Sequence, residues 1–351
     1  LKRFWTKLTN WELWPFYLIY TPLGFVWMYY AIRARHFWFS SPVNPTLEFS
    51  GLEGESKREM YEQLPKRYYP RTIYVDPSLT FDHLKSEVKA AGFQYPILAK
   101  PDVGMKGMLM RKIDTEDQLK YYHSKVQVDY IIQDMIQLPM EFSVFHIRYP
   151  GEQKGIVTGF IAKNYMSVVG NGSSTLKQLI NEHPKAKFKE EEMTIRHGEN
   201  FEKIIDSGET YYLSIAGNHN RGANFVNLHD QIDDQLCTVF DRISLETEHF
   251  YFGRYDLKCS SVADLKAGKN IVILEYNGVG AEPNHIYDCG MSYCQALKEI
   301  ILHWEHMYRI GRINHKQSGV PYWNFFTGYK YLANARKFFK KMHQADLDCK
   351  L

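Results

Sequence analysis

Two short apolar segments end in oxygen donors: Gly253-Arg254-Tyr255-Asp256-Leu257-Lys258 and Ile273-Leu274-Glu275-Tyr276-Asn277-Gly278. Side chains alternate along a strand, so Asp256 on one strand would share a face with Glu275 and Asn277, two apart on the next. Three hard oxygens on one face suit Mg²⁺, which binds through one or two carboxylates together with the phosphates of a nucleotide. Taken alone, Asp256 reads more simply as an exposed acid on an ordinary hairpin. The rest of the chain decides between the two.

Upstream, Tyr95-Pro96-Ile97-Leu98-Ala99-Lys100 is an apolar strand that delivers Lys100 into a turn carrying Gly104, Lys106 and Gly107. Glycine lets backbone N–H groups approach an anion with no Cβ in the way. The spacing is neither that of a P-loop nor that of a dinucleotide fingerprint. Tyr130-Ile131-Ile132-Gln133-Asp134-Met135-Ile136 then reads as a strand running into a connection with exposed backbone, and Glu141 opens the strand after it.

In this order the pieces resemble the ATP-grasp superfamily, on its carboxylate–amine ligase branch. The resemblance covers about residues 70 to 305 and implies an α+β fold of two lobes clasping ATP. It makes Lys100, Gly104, Lys106 and Gly107 the phosphate loop, Gln133, Asp134, Met135 and Ile136 the adenine hinge, and Glu141 the ribose acid. Asp256, Glu275 and Asn277 become ligands of Mg²⁺, with Mn²⁺ as an alternative, and Arg254 the group that steadies an acyl phosphate. The segment Val168 to Ile180 (VVGNGSSTLKQLI) is similar to one in cyanophycin synthetase and related glutathione-type ligases, with Asn171 in place of the usual aspartate. Ala216-Gly217-Asn218-His219-Asn220-Arg221-Gly222 stands where those enzymes carry a loop near the phosphates, which assigns Asn218 to the nucleotide and Arg221 to phosphate. The implied reaction joins a carboxylate to an amine, with Lys100, Arg221 and Arg254 offsetting developing charge. A kinase acting on a hydroxyl is the alternative chemistry, and a scaffold with a vestigial nucleotide site the non-enzymatic one. Glu282, His285 or Asp288 would position the amine, although Glu282-Pro283-Asn284 reads equally as a helix start.

The chain of 351 residues, 44% of them hydrophobic, supports two or three subdomains. Five scattered cysteines without a Cys-x-x-Cys argue against a disulfide framework or a zinc site and for a reducing, cytoplasmic setting. The net charge of +3 hides an asymmetry: residues 306–345 hold eight Lys/Arg and no acid. Basic, aromatic ends on an acidic body suit an anionic membrane surface rather than nucleic acid. From Leu13 to Ile32 no residue is charged, and the run is long enough as a helix to span a bilayer. Pro15, Pro22 and Gly24 interrupt it, which favours a kinked interfacial or re-entrant anchor over a single span or a helix packed on the protein or a partner. No small-residue cleavage site follows it, so a signal peptide is not expected. Near the other end, Leu332, Ala335, Phe339 and Met342 share one helical stripe flanked by Arg336, Lys337, Lys340 and Lys341, which we read as a second membrane contact.

The expected organisation is a membrane-associating segment at 1–48, a lead-in at 49–96, a small lobe at 97–139, a large lobe with the metal site at 140–305, and a basic tail at 306–351. The substrates would be a carboxylate and an amine, one of them lipid-linked or hydrophobic, handled at the inner face of a membrane.

Overall fold

The computed structural model describes residues 9–349 apart from Lys106, 215–216, 218–221 and Glu248. The expected site residues Lys106, Asn218 and Arg221 therefore lie outside the described residues.

The aromatic run near the N-terminus is divided. Pro15 and Pro22 stand at the starts of helices α1 (Phe16–Tyr20) and α2 (Leu23–Ala34), where a missing N–H costs nothing. Arg35, in a left-handed conformation, ends α2. One face of α2 (Leu23, Tyr30, Ala31) is buried, and Trp27 packs on Phe39 and Trp304 at ring-centroid separations of 4.5 and 5.3 Å. No helix among the described residues is long and apolar enough to cross a membrane. The single-span alternative is thereby set aside, and half of this segment packs on the protein itself.

Ser56 caps α3 (Lys57–Gln63). Strands β1 (Thr72–Val75), β2 (Ile97–Pro101), β3 (Arg111–Ile113) and β4 (Tyr130–Asp134) form an antiparallel sheet in the order β1-β4-β2-β3. Helices α4 (Phe81–Ala90) and α5 (Glu116–Lys125), each capped by a threonine, bury Leu84, Val88, Leu119 and Tyr122 against it. The lead-in thus contributes β1 to this sheet.

The large lobe is built on β5 (Met140–Ile147), β6 (Ile156–Asn164), β9 (Asn224–Asn227), β10 (Phe252–Cys259) and β11 (Val272–Asn277), in the order β11-β10-β5-β6-β9. Between β6 and β9 the chain makes a flap from β7 (Ser167–Val169) paired with β8 (Thr210–Tyr212), with α6 (Leu176–Glu182) and α7 (Glu190–His197) alongside. Phe142, Val144, Tyr255, Leu257, Ile273 and Tyr276 point to one face of the large sheet. There they pack on Leu236, Val239, Phe240 and Ile243 of α8 (Asp234–Glu246), and α9 (Val262–Lys266) closes the edge with Leu265. Alternation along the strands leaves the other face for polar side chains.

The chain finishes in α10 (Tyr293–Ser318), opened by a Ser292–Gln295 capping box, and α11 (Phe325–Asp348). The stripe on α11 read as a membrane contact is taken up by the small lobe. Phe339 and Met342 join the cluster of Leu109, Ile113 and Tyr122. Arg111 forms a buried ion pair with Asp346 at 2.9 Å and donates to the Asp346 and Cys349 carbonyls at 3.0 and 2.9 Å. An apolar stripe is equally served by protein and by lipid, and here the small lobe supplies the partner.

Candidate active site

The polar face of the large sheet carries the expected metal residues. Asp256 lies directly opposite Glu275 across the β10–β11 pair, and Arg254 opposite Asn277. On the other flank of β10, Asp256 faces Ser143 and Lys258 faces Glu141. A bulge follows Asp256: Leu257 pairs with Ile273, so Leu274 has no ladder partner. Its carbonyl instead accepts from Tyr61 Oη at 2.6 Å and from Lys100 Nζ at 3.4 Å. An irregularity in the large sheet thus anchors Lys100 over the strand that carries Glu275 and Asn277.

Asp256 is buried and densely partnered. Lys163 Nζ lies 3.0 Å from Oδ1, Arg254 donates to both carboxylate oxygens at 3.1 Å, Asn277 Nδ2 donates to Oδ2 at 3.2 Å, and Ser143 donates its hydroxyl. Burial alone would raise its pKa. Arg254 and Lys163 overcome that and hold the carboxyl far below the usual carboxylate range. Arg254 is shifted up in turn, burial being outweighed by Asp256, and its Nη1 donates to the Glu282 carbonyl at 3.1 Å. Glu275 differs from Asp256: its side chain is 37% exposed and Lys57 Nζ stands 3.4 Å away.

Lys100 is buried at the end of β2, where burial first and Lys57 second pull its ammonium down to about 7. The loop after it is pinned by Asp102, which accepts from Ser56 Oγ at 2.6 Å and from the Arg58 N–H at 2.8 Å at the start of α3. Gly107 adopts a φ of +67°, a conformation that favours glycine. Gly104 sits beside Lys57.

Glu141, also buried, lies 3.4 Å from Lys163 and accepts from Tyr165 Oη at 2.5 Å. The expected hinge residues divide between a strand and a connection. Gln133 lies inside the small sheet, paired with Thr72 on one side and Leu98 on the other, and its side chain donates to Thr72 at 2.8 Å. Its backbone is in the ladder, as is that of Asp134, which pairs with Ile97, donates its N–H to the Arg71 carbonyl at 3.3 Å and ends β4 under a salt bridge from Arg71 at 2.8 Å. Met135 and Ile136 follow in the connection, and the Ile136 carbonyl accepts from Lys258 Nζ at 3.0 Å.

The loop after Asn277 zips onto the N-terminal segment, Val279 N–H to the Ser50 carbonyl at 3.1 Å and Gly280 N–H to Gly51 at 2.8 Å. A Cβ at Gly280 would lie 2.1 Å from the Leu52 carbonyl, so close approach demands glycine there. Of the three residues expected to position an amine, Glu282 stays beside Arg254 and accepts from Tyr20 Oη at 2.5 Å. The other two are committed elsewhere. His285 is buried against Glu299 at 3.2 Å, and Asp288 is ion-paired with Lys185 at 2.9 Å. Asn284–Ile286 forms a short 3₁₀ turn, the helix-start alternative.

Reading the sequence alone missed three residues. Lys57 follows a Ser-x-x-Glu helix-start pattern, and a cation in the first turn opposes the helix dipole, which was the available signal for a use elsewhere. Lys163 is a charged residue on a strand otherwise largely buried. Glu55, whose Oε1 accepts from Gly278 N–H at 3.3 Å, is pushed up to about 7 by burial, and nothing in its sequence context marked it. Two charged carboxylates and an amide on one face form a hard-oxygen donor set that fits Mg²⁺, ringed by the cations Lys57, Lys100, Lys163 and Arg254 that suit phosphate oxygens.

No family model matches the chain, and no curated protein matches it. Among solved structures it is similar to D-alanine–D-alanine ligase from Bacillus anthracis, with 14% identity over 73% of this chain and 68% of that one and a TM-score of 0.40. It is also similar to a bifunctional glutathione synthetase from Pasteurella multocida (13% identity, 71% of this chain and 36% of that one, TM-score 0.38). A third is the ADP complex of PurK, N5-carboxyaminoimidazole ribonucleotide synthetase (12% identity, 74% and 54%, TM-score 0.43). The chain thus spans about a third to two-thirds of the length of these proteins.

Proposed function

We propose that the chain is an ATP-dependent carboxylate–amine ligase of the ATP-grasp type. The observation that carries this reading is the convergence of Asp256, Glu275 and Asn277 with Lys57, Lys100, Lys163 and Arg254 between two antiparallel lobes. Lys100 and the turn with Gly104 and Gly107 hold the terminal phosphates, Lys163 and Glu141 face the nucleotide sugar, and the connection at Met135 and Ile136 offers backbone to the base. When bound, Mg²⁺ on Asp256, Glu275 and Asn277 supplies charge neutralisation at the transferring phosphoryl group. Arg254, fixed by Asp256, presents its guanidinium where a carboxylate turned acyl phosphate would carry charge, and Glu282 beside it attracts the incoming amine.

We place this chemistry at a membrane surface, on a lipid-linked or hydrophobic substrate. The supporting feature is α2, whose outward face shows Phe25, Met28, Tyr29 and Ile32 at 84, 46, 53 and 71% exposure. A helix that is apolar all round is ordinarily buried on all sides.

The test is ADP release across paired acids and amines, with hydroxylamine as a trap. Dependence on both substrates, with a hydroxamate formed when the amine is withheld, is the expected result. ADP release driven by a single hydroxyl acceptor, with a stable phosphoester as product, would replace the ligase with a kinase.

A further inference from the structure

Within the basic stretch expected to meet anionic lipid, the better-formed site lies on α10 rather than on α11. A groove of about 340 Å³ opens along α10, lined by Tyr149, Tyr308, Arg309, Arg312 and Lys316. Its cations recur at intervals of three and four residues, which places them on one helix face. Arg309 pairs with Glu305, and Arg312 Nη1 reaches Tyr308 Oη at 3.4 Å. Beside these three cations stand two acids, Glu305 and, next to Tyr149, Glu152.

The groove adjoins the bare face of α2. Tyr30 stacks on Tyr308 at 5.1 Å, and Arg33 lies over the rings of both Tyr29 and Tyr308 at 5.4 and 5.3 Å. Arg33 therefore bridges the apolar stripe and the groove wall. We infer that this groove binds the anionic headgroup of a membrane lipid while Phe25, Met28, Tyr29 and Ile32 enter the acyl boundary beside it. The inference rests on the membrane part of the reading above and is independent of the ligase chemistry. The occupant is a lipid rather than a protein because the two features are complementary to its two halves: a cationic groove for phosphate, next to an exposed apolar helix face. The tail of α11 lacks this combination, since its apolar stripe is spent on the small lobe.

The experiment is flotation of the full chain at physiological salt, with vesicles of phosphatidylcholine alone and of phosphatidylcholine containing phosphatidylglycerol at about one in three. The wild type should float with both, more strongly with the anionic vesicles. Arg312→Gln/Lys316→Gln should lower anionic-vesicle partitioning by about 25-fold, roughly fivefold per cation, and leave binding to neutral vesicles unchanged. Phe25→Ser/Ile32→Ser should abolish both. These positions are at the surface, so an unchanged melting temperature checks folding, and raising salt on the wild type reads the same charge term without mutation. Equal flotation of the wild type and the Arg312/Lys316 variant would overturn the headgroup site while leaving membrane contact in place. No flotation of the wild type, or a dimer that the Phe25/Ile32 variant converts to monomer, would overturn the lipid assignment altogether.

Discussion

Asp256→Asn and Glu275→Gln each remove one charge from the same proposed metal site, yet the structure separates their consequences. Asp256 is 6% exposed and neutralises Lys163, which is buried, and Arg254, which is largely buried, so both cations lose their compensating charge away from bulk water. Removing one partner of a buried ionic cluster costs about 3–5 kcal/mol. At roughly 2 °C per kcal/mol for a chain of this size, Asp256→Asn should melt about 6–10 °C below wild type. Glu275 is 37% exposed and meets Lys57 at 3.4 Å, a geometry worth about 0–1 kcal/mol, so Glu275→Gln should melt within about 2 °C of wild type. Both should lose turnover. Mg·ATP at about a hundred times its Kd stabilises a binding-competent fold by about 2.7 kcal/mol, and neither variant should show that gain. Thermal melts with and without Mg·ATP, run beside ADP release, read all three quantities. Equal melting temperatures for the two variants would refute the charge-network argument, and activity within tenfold of wild type in either would refute the metal assignment.

Lys100, held near neutrality by burial, must carry a proton to meet phosphate. Mg·ATP affinity should therefore weaken as pH rises through about 7, and Lys100→Met should lose that slope along with affinity; a wild-type Kd independent of pH between 6 and 8 would count against it. His303 is buried, and burial lowers it to about 4. The unfolded imidazole takes its proton near 6.5 while the native ring resists, so stability should fall as pH drops from about 6.5 to 4. His303→Gln should flatten part of that slope in urea midpoints, and an unchanged slope would show that the native ring protonates freely. Phe339→Ala should cost about 3–5 kcal/mol by opening the contact between α11 and the small lobe, with proteolysis near 330–345 as a second readout; resistance equal to wild type would mean that α11 is held mainly by Arg111–Asp346.

The amino-acid sequence determined the chemistry of the site because period-2 alternation fixes a strand face without any knowledge of the fold. Asp256, Glu275 and Asn277 were bound to share a face once their segments paired, and that they pair directly is seen in the register. The lysine strand and the turn glycines were legible for the same reason: apolar patterning and turn residues are local. Whatever depends on partners distant in the chain was not. Lys57 meets Glu275 across more than two hundred residues, Lys163 reaches Asp256 from a strand that is not its neighbour, and Leu274 frees its carbonyl for Lys100 only because a bulge skips it. That Gln133 pairs on both sides, with Thr72 and Leu98, is likewise set by strands far apart in the chain. The two apolar ends show the limit most clearly. Hydrophobic patterning states that a face must leave water, and only tertiary packing decides what covers it: the small lobe for α11, the protein body for the inner half of α2, and neither for the outer half.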